Sequence, residues 1–121
     1  MILADTSVWI QHFRRGLPTF ASALEQGFIS MHPVVLGELA SGNLGKRSHT
    51  LALLHSLPFA SVATTEECLA FLEEHALYEK GIGWNDLQLL GAARLSGIPL
   101  CSLDARLTAA AVELGVGYTA P

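Results

Sequence analysis

The sequence predicts an α/β fold in three layers, a central parallel sheet of four to five short strands flanked by helices, and three observations carry that expectation. Half of the 121 residues are apolar and only 15% are charged, a composition that suits strands covered on both faces by helices and excludes disorder. Short apolar runs alternate with stretches of helical periodicity along the whole chain. Each run ends at a turn signal or a capping residue, the pattern of strand–helix–strand units with right-handed crossovers. The length fits one domain spanning 1–121.

Met1–Ala4 is an apolar run that stops abruptly at Asp5-Thr6-Ser7, which reads as a buried strand followed by a helix cap. Thr6–Arg15 carries Val8, Trp9, Ile10 and Phe13 at helical spacing, and Arg14 and Arg15 suit a helix C-terminus. Pro18 opens a second short helix with the stripe Phe20, Ala21, Leu24 and a stop at Gly27. Phe28–Met31 is the expected second strand. Pro33–Ser41 follows as a helix with proline at its first position. Gly42–Ser48 lacks the glycine spacing and the Ser or Thr after Lys that a P-loop requires, so it is a turn carrying Lys46 and Arg47. Thr50–Leu57 is helical up to Pro58, and Phe59–Ala63 is the expected third strand. Thr64 and Glu67 form a capping box for one long helix running toward Gly81, with Glu66, Glu73, Glu74, Glu79 and Lys80 on a solvated face. Gly81 and Gly83 break the chain, Asn85 is the expected cap, and Asp86 falls in the first turn of a helix that runs to Ser96. Ile98–Ser102 is the fourth strand, Ala105–Leu114 the last helix, and Val116–Tyr118 a final short strand.

The chemistry lies in the placement of acids. Asp5, Asp86 and Asp104 are the only aspartates; two follow strand-like runs and the third opens a core-facing helix. Parallel strands gather such positions at the carboxyl edge of the sheet, where open α/β sheets bind ligands. Glu38 sits one turn into the helix after the second strand, on a face shared with Val34 and Val35. Taken singly, Asp5 is equally readable as a helix cap and Glu38 as an ordinary solvated residue. Together, four carboxylates at one edge demand a cation, because each raises its neighbours' pKa. Oxygen donors without a Cys/His cluster select Mg²⁺ or Mn²⁺ over zinc. The net charge of −4 argues against a general nucleic-acid coat, yet setting those four acids aside leaves seven acids against seven Lys plus Arg. Cys68 and Cys101 have no ligand or redox spacing and read as reduced thiols. No run is long enough to span a bilayer and no secretory leader opens the chain, so the expected location is cytoplasmic, with no membrane partner.

Four segments, ILADTSVWI with Asp5, VVLGELASG with Glu38, GIGWNDLQLLGAARLSG with Asp86 and LCSLDARL with Asp104, occur in the order and spacing of the PIN-domain ribonucleases, and the chain resembles the VapC-type toxins among them over nearly its whole length. The resemblance implies a PIN-like fold and Mg²⁺- or Mn²⁺-dependent hydrolysis of RNA, with Asp5, Glu38, Asp86 and Asp104 as acidic site residues. It makes Thr6 a supporting hydroxyl, and it implies a homodimer inhibited by a cognate antitoxin protein. Two departures from the family pattern stand out: Ser102 stands where Thr is usual, and Ala105-Arg106-Leu107 stands where many relatives carry a further acid and an aromatic. The first keeps the hydroxyl, and the second leaves the number of metals open. Arg14, Arg15, Lys46, Arg47 and Arg94 are the expected phosphate contacts. A receiver-like module would need adjacent acids on the first strand and a late lysine, an aspartyl-phosphate phosphatase an Asp where Ser7 stands, and the chain has neither. A catalytically silent scaffold and a housekeeping nuclease remain the alternatives to a toxin.

Overall fold

The computed structural model describes residues 1–118. The domain expected over 1–121 extends into 119–121, which lie outside the described residues. Three parallel strands, β1 (Ile2–Ala4), β2 (Ile29–Ser30) and β3 (Leu100–Cys101), pair in the order β2-β1-β3. The register sets Ile2 against Ile29, and Leu3 against both Ser30 and Leu100. The central strand is covered on both faces, and Leu3 and Ala4 have no solvent exposure. Because β1 has β2 on one side and β3 on the other, strand order reverses at β1, and the carboxyl edge there forms the crevice of a doubly wound sheet.

The expected strands at Phe59–Ala63 and Val116–Tyr118 shrink to single parallel bridges, Met31 with Phe59 and Leu100 with Gly117. The first stops after one pair: the Ala60 amide bonds Met31 O, and the Ser61 amide, which faces the opposite edge, donates to Ser96 Oγ at 2.9 Å. Pro58 removes the donor before that pair. The sheet therefore has three strands and two one-bridge edges.

Among the described residues seven α-helices flank it: α1 (Thr6–Arg15), α2 (Pro18–Glu25), α3 (Pro33–Ala40), α4 (Arg47–Ser56), α5 (Thr65–Glu74), α6 (Trp84–Ser96) and α7 (Ala105–Glu113). Three boundaries differ from the sequence expectation. The α4 helix begins at Arg47 rather than Thr50. The long helix toward Gly81 ends at Glu74, since Ala76 turns left-handed and a short 3₁₀ turn follows at Leu77–Glu79. Glu73 and Glu74 place negative charge at the wrong end of that helix's dipole, and the turn drops Leu77 into a small cluster with Cys68 and Leu87. Gly83, not Asn85, is the N-cap of α6, so Asn85 lies inside the first turn and Asp86 one residue further.

The main core joins β1 and β3 to Trp9, Val35, Leu54, Leu89, Leu90 and Leu107. Six residues of α6 between Leu87 and Ala93 are buried, and Gly91 lets the helix lie against Ala63 and Cys68, with the Ala63 Cβ only 3.4 Å from where a Gly91 Cβ would stand. This packing fixes α6 against the sheet, and with it the height of Asp86 above the strand ends.

Candidate active site

Asp5 leaves β1 at the centre of the sheet, where its amide still bonds Cys101 O at 3.0 Å. It is 4% exposed and caps α1. Each carboxylate oxygen is engaged: Oδ1 accepts from Ser7 Oγ at 2.6 Å and the Val8 amide at 3.2 Å, and Oδ2 accepts from Ser102 Oγ at 2.5 Å. Such a buried carboxylate is held in one rotamer by hydroxyl and amide donors, without a counter-cation. Both readings of Asp5 offered by the sequence thus coexist, since capping occupies one oxygen and leaves the acid at the sheet edge.

Ser102 links the two strand ends. Its hydroxyl donates to Asp5 and accepts from the Asp104 amide at 2.9 Å. Ser7, which sequence reasoning passed over, makes the parallel link: it donates to Asp5 Oδ1 and accepts from the Leu103 amide at 3.0 Å. The signal was present as Asp-x-Ser at a helix start, a pattern prone to local side-chain hydrogen bonds. Asp104 itself caps α7, accepting at Oδ1 from the amides of Arg106 and Leu107 at 2.9 and 3.0 Å.

The Thr6 hydroxyl serves Glu38: Oγ1 donates to Glu38 Oε1 at 2.7 Å, fixing the acid that α3 brings to the same edge. Glu38 and Asp104 are exposed, Asp86 is half-buried, and Asp5 is buried, so the four acids descend in a graded series from the surface toward the sheet.

Asp86 reports the sum of this arrangement. Burial first, and then the charges of Asp5, Asp104 and Glu38, push its carboxyl above the ordinary carboxylate value. The same field reaches the Cys101 thiol, which burial and Asp5 push up. The ion pairs found among the described residues are Lys80 with Glu113 and His75 with Glu74, neither of which touches these acids.

A divalent cation fits the donor set: four carboxylates, hard oxygen throughout, uncompensated and mutually repelling. The fit is one of charge rather than ready-made coordination. Among the described residues no three carboxylate, imidazole or thiolate groups stand at ligating spacing, so the four acids expected at one edge form a loose set whose side chains would have to draw inward around an ion. Asp86 and Asp104 line one cleft of about 260 Å³ with Gly81, Ile82 and Arg106. Glu38 lines a neighbouring one with Val34, Ser41 and Asn85.

Two of the expected phosphate contacts have other duties. Arg47 donates to Ala40 O at 2.6 Å and Gly42 O at 3.1 Å, closing the end of α3, and Arg94 donates to Leu114 O at 3.1 Å, beyond the end of α7. Cation charge is drawn to helix C-termini for the same reason it would be drawn to phosphate.

Comparison with known proteins agrees with this architecture. The PIN domain family model matches residues 2–113. Ribonuclease VapC32 of Mycobacterium tuberculosis, from strain CDC 1551 / Oshkosh and from strain H37Rv, is 39% identical over 117 residues, covering 96% of this chain and 94% of the relative. With the match running through all four acidic segments and the parallel sheet that gathers them, the chain belongs to the PIN-domain family and stands with its VapC-type ribonucleases.

Proposed function

We propose that the protein is a divalent-metal-dependent endoribonuclease, the toxin of a VapBC-like toxin–antitoxin pair. The observation that carries this reading is the approach of Asp5, Glu38, Asp86 and Asp104 at the carboxyl edge of the sheet, close enough that, after burial, the other three carboxylates push the Asp86 carboxyl above its ordinary value. Asp5, Asp86 and Asp104, with Glu38, are the residues that would hold Mg²⁺ or Mn²⁺. When bound, the ion lowers the pKa of a water and polarises the scissile phosphate.

The chain's own groups do the remaining work. Ser7, Ser102 and the Val8 amide lock the Asp5 carboxylate, so little orientational freedom is lost as substrate engages. Glu38 is held by Thr6 through Oε1, which leaves Oε2 to orient the attacking water and accept its proton. The water oxygen bonds to phosphorus, the bond from phosphorus to the 3′-oxygen breaks, and that oxygen takes a proton from solvent. The products are a 3′-hydroxyl and a 5′-phosphate. Substrate is RNA, as the name of the relative says of that protein.

The partners of this reading are a cognate VapB-like antitoxin and a second copy of the chain. Exposed Phe13, Phe28, Tyr78, Trp84 and Leu103 are apolar surface of the kind that partners cover. No described helix is long and apolar enough to cross a membrane, and the free thiols Cys68 and Cys101 suit a reducing cytoplasm. The test is cleavage of a structured RNA by the purified chain: activity with Mg²⁺ or Mn²⁺, none in excess EDTA, and none in a folded Asp5→Asn variant. Full cleavage in EDTA ends the metal assignment. A short adjacent reading frame encoding a DNA-binding half and a charged tail separates a toxin from a housekeeping nuclease.

A further inference from the structure

Arg106 stands in the family's departing segment and enters none of the roles above. Its surroundings are specific. It lines the cleft of Asp86 and Asp104, and its guanidinium lies across Gly81, with Nη1 3.1 Å, and Cδ and Cζ 3.5 Å, from where a Gly81 Cβ would stand. Gly81 has φ +69°, a left-handed conformation that suits glycine, and the arginine side chain packs over it.

The seven Lys and Arg residues of the chain are not equivalent. Arg47 and Arg94 are spent on helix carbonyls and Lys80 on Glu113. Arg14 shares a cleft with a single one of the acids, Glu38, beside Phe13 and Asn43. Arg106 is the cation that shares a cleft with two of the four acids, and its guanidinium takes no ion-pair partner among the described residues. An edge carrying four carboxylates repels a polyanion everywhere except at the metal. A braced, unpaired guanidinium beside it supplies the complementary donor fork that phosphate oxygens match.

We infer that Arg106, braced on Gly81, forms a phosphate subsite that grips an RNA backbone phosphate flanking the scissile one, at the Asp86/Asp104 end of the site. This rests on the ribonuclease reading and adds a substrate contact to it. A flanking phosphate is bound equally in ground and transition states, so the contact acts on KM and leaves kcat alone.

Steady-state cleavage of one RNA in Mg²⁺ is compared for the parent, Arg106→Ala, Arg106→Gln, Arg106→Lys and Lys80→Ala. Loss of the guanidinium raises KM about 10-fold with kcat within about 2-fold. Lys restores part of the loss. Lys80→Ala, which removes the same charge one residue from Gly81, leaves KM within about 2-fold. In an Asp5→Asn background, fluorescence anisotropy of a labelled mixed-sequence single-stranded RNA against salt gives a slope lower by about 0.7 when Arg106 is replaced. An unchanged KM and slope in both neutral variants, or a fall in kcat at constant KM, overturns the subsite. If the parent chain neither cleaves nor binds RNA with metal present, the ribonuclease reading has failed first.

Discussion

Replacing Asp86 by Asn moves stability and activity in opposite directions. In the metal-free protein Asp86 ionises against burial and against Asp5, Asp104 and Glu38. A carboxyl whose pKa is raised by folding binds more protons in the native than in the unfolded state, so its contribution weakens the fold as pH climbs from the ordinary carboxylate value through the raised one. Above the raised value the full penalty is present. The amide keeps the shape and removes the charge. With Asp86 only half-buried, solvent screening limits the gain to about 1 kcal/mol, which for a chain of 121 residues is a rise in Tm of about 4 °C. Metal reverses the order: at a concentration near 100 times its Kd an ion stabilises the parent by about 2.7 kcal/mol, whereas the variant lacks the ligand. Thermal melts with EDTA, Mg²⁺ and Mn²⁺ read all four corners. The reasoning is refuted if the variant melts below the parent in EDTA and neither ion shifts the parent.

Ser102→Ala removes the donor to Asp5 Oδ2 and the acceptor for the Asp104 amide, and urea titration should show a loss of about 1.5–3 kcal/mol, the scale of a hydrogen bond to a charged group; Ser102→Thr, which keeps the hydroxyl and adds the methyl of the family pattern, keeps activity. His32 is 1% exposed, its Nδ1 accepts the Val34 amide at the start of α3, and burial lowers its pKa. Its contribution is therefore complete above its ordinary value of 6.5 and is lost as pH falls below it, by at most about 1.4 kcal/mol per pH unit. His32→Asn, which can still cap α3, should flatten that acid limb of the melting profile, and an unaltered slope would remove His32 as its cause.

How much of this was legible follows from the range over which each signal acts. The strand–helix alternation, the proline starts of α2 and α3, the capping box at Thr64 and the stops at Gly16, Gly27 and Gly97 are local, and the helices lie within a few residues of where composition puts them. The third expected strand shortened because Pro58 has no donor for the ladder, and beyond Ala60 the chain is tied through the Ser61 amide to Ser96, thirty-five positions away, a partner that no window around Phe59 contains. The long helix after Thr64 broke for a reason partly local, two glutamates at its end, and partly remote, the pocket between Cys68 and Leu87 that takes Leu77.

The site divides in the same way. An acid at the end of a parallel strand is a local fact with a global consequence, because topology alone carries strand ends to one edge. The roles of the hydroxyls have no such rule. Thr6 and Ser7 are adjacent in the chain, yet one holds Glu38 across 32 positions and the other bridges Asp5 to the Leu103 amide across 96. Which hydroxyl serves which acid depends on helix rotation and strand height, set by the packing of Trp9, Leu90 and Leu107 in the core. Conservative changes in that core, far from any carboxylate, therefore reach the chemistry by turning α1 or α6 by a fraction of a hydrogen-bond length. Activity should consequently fall sooner than stability along a series of volume changes at Leu90, since the fold tolerates repacking that an Asp5–Ser102 contact of 2.5 Å does not.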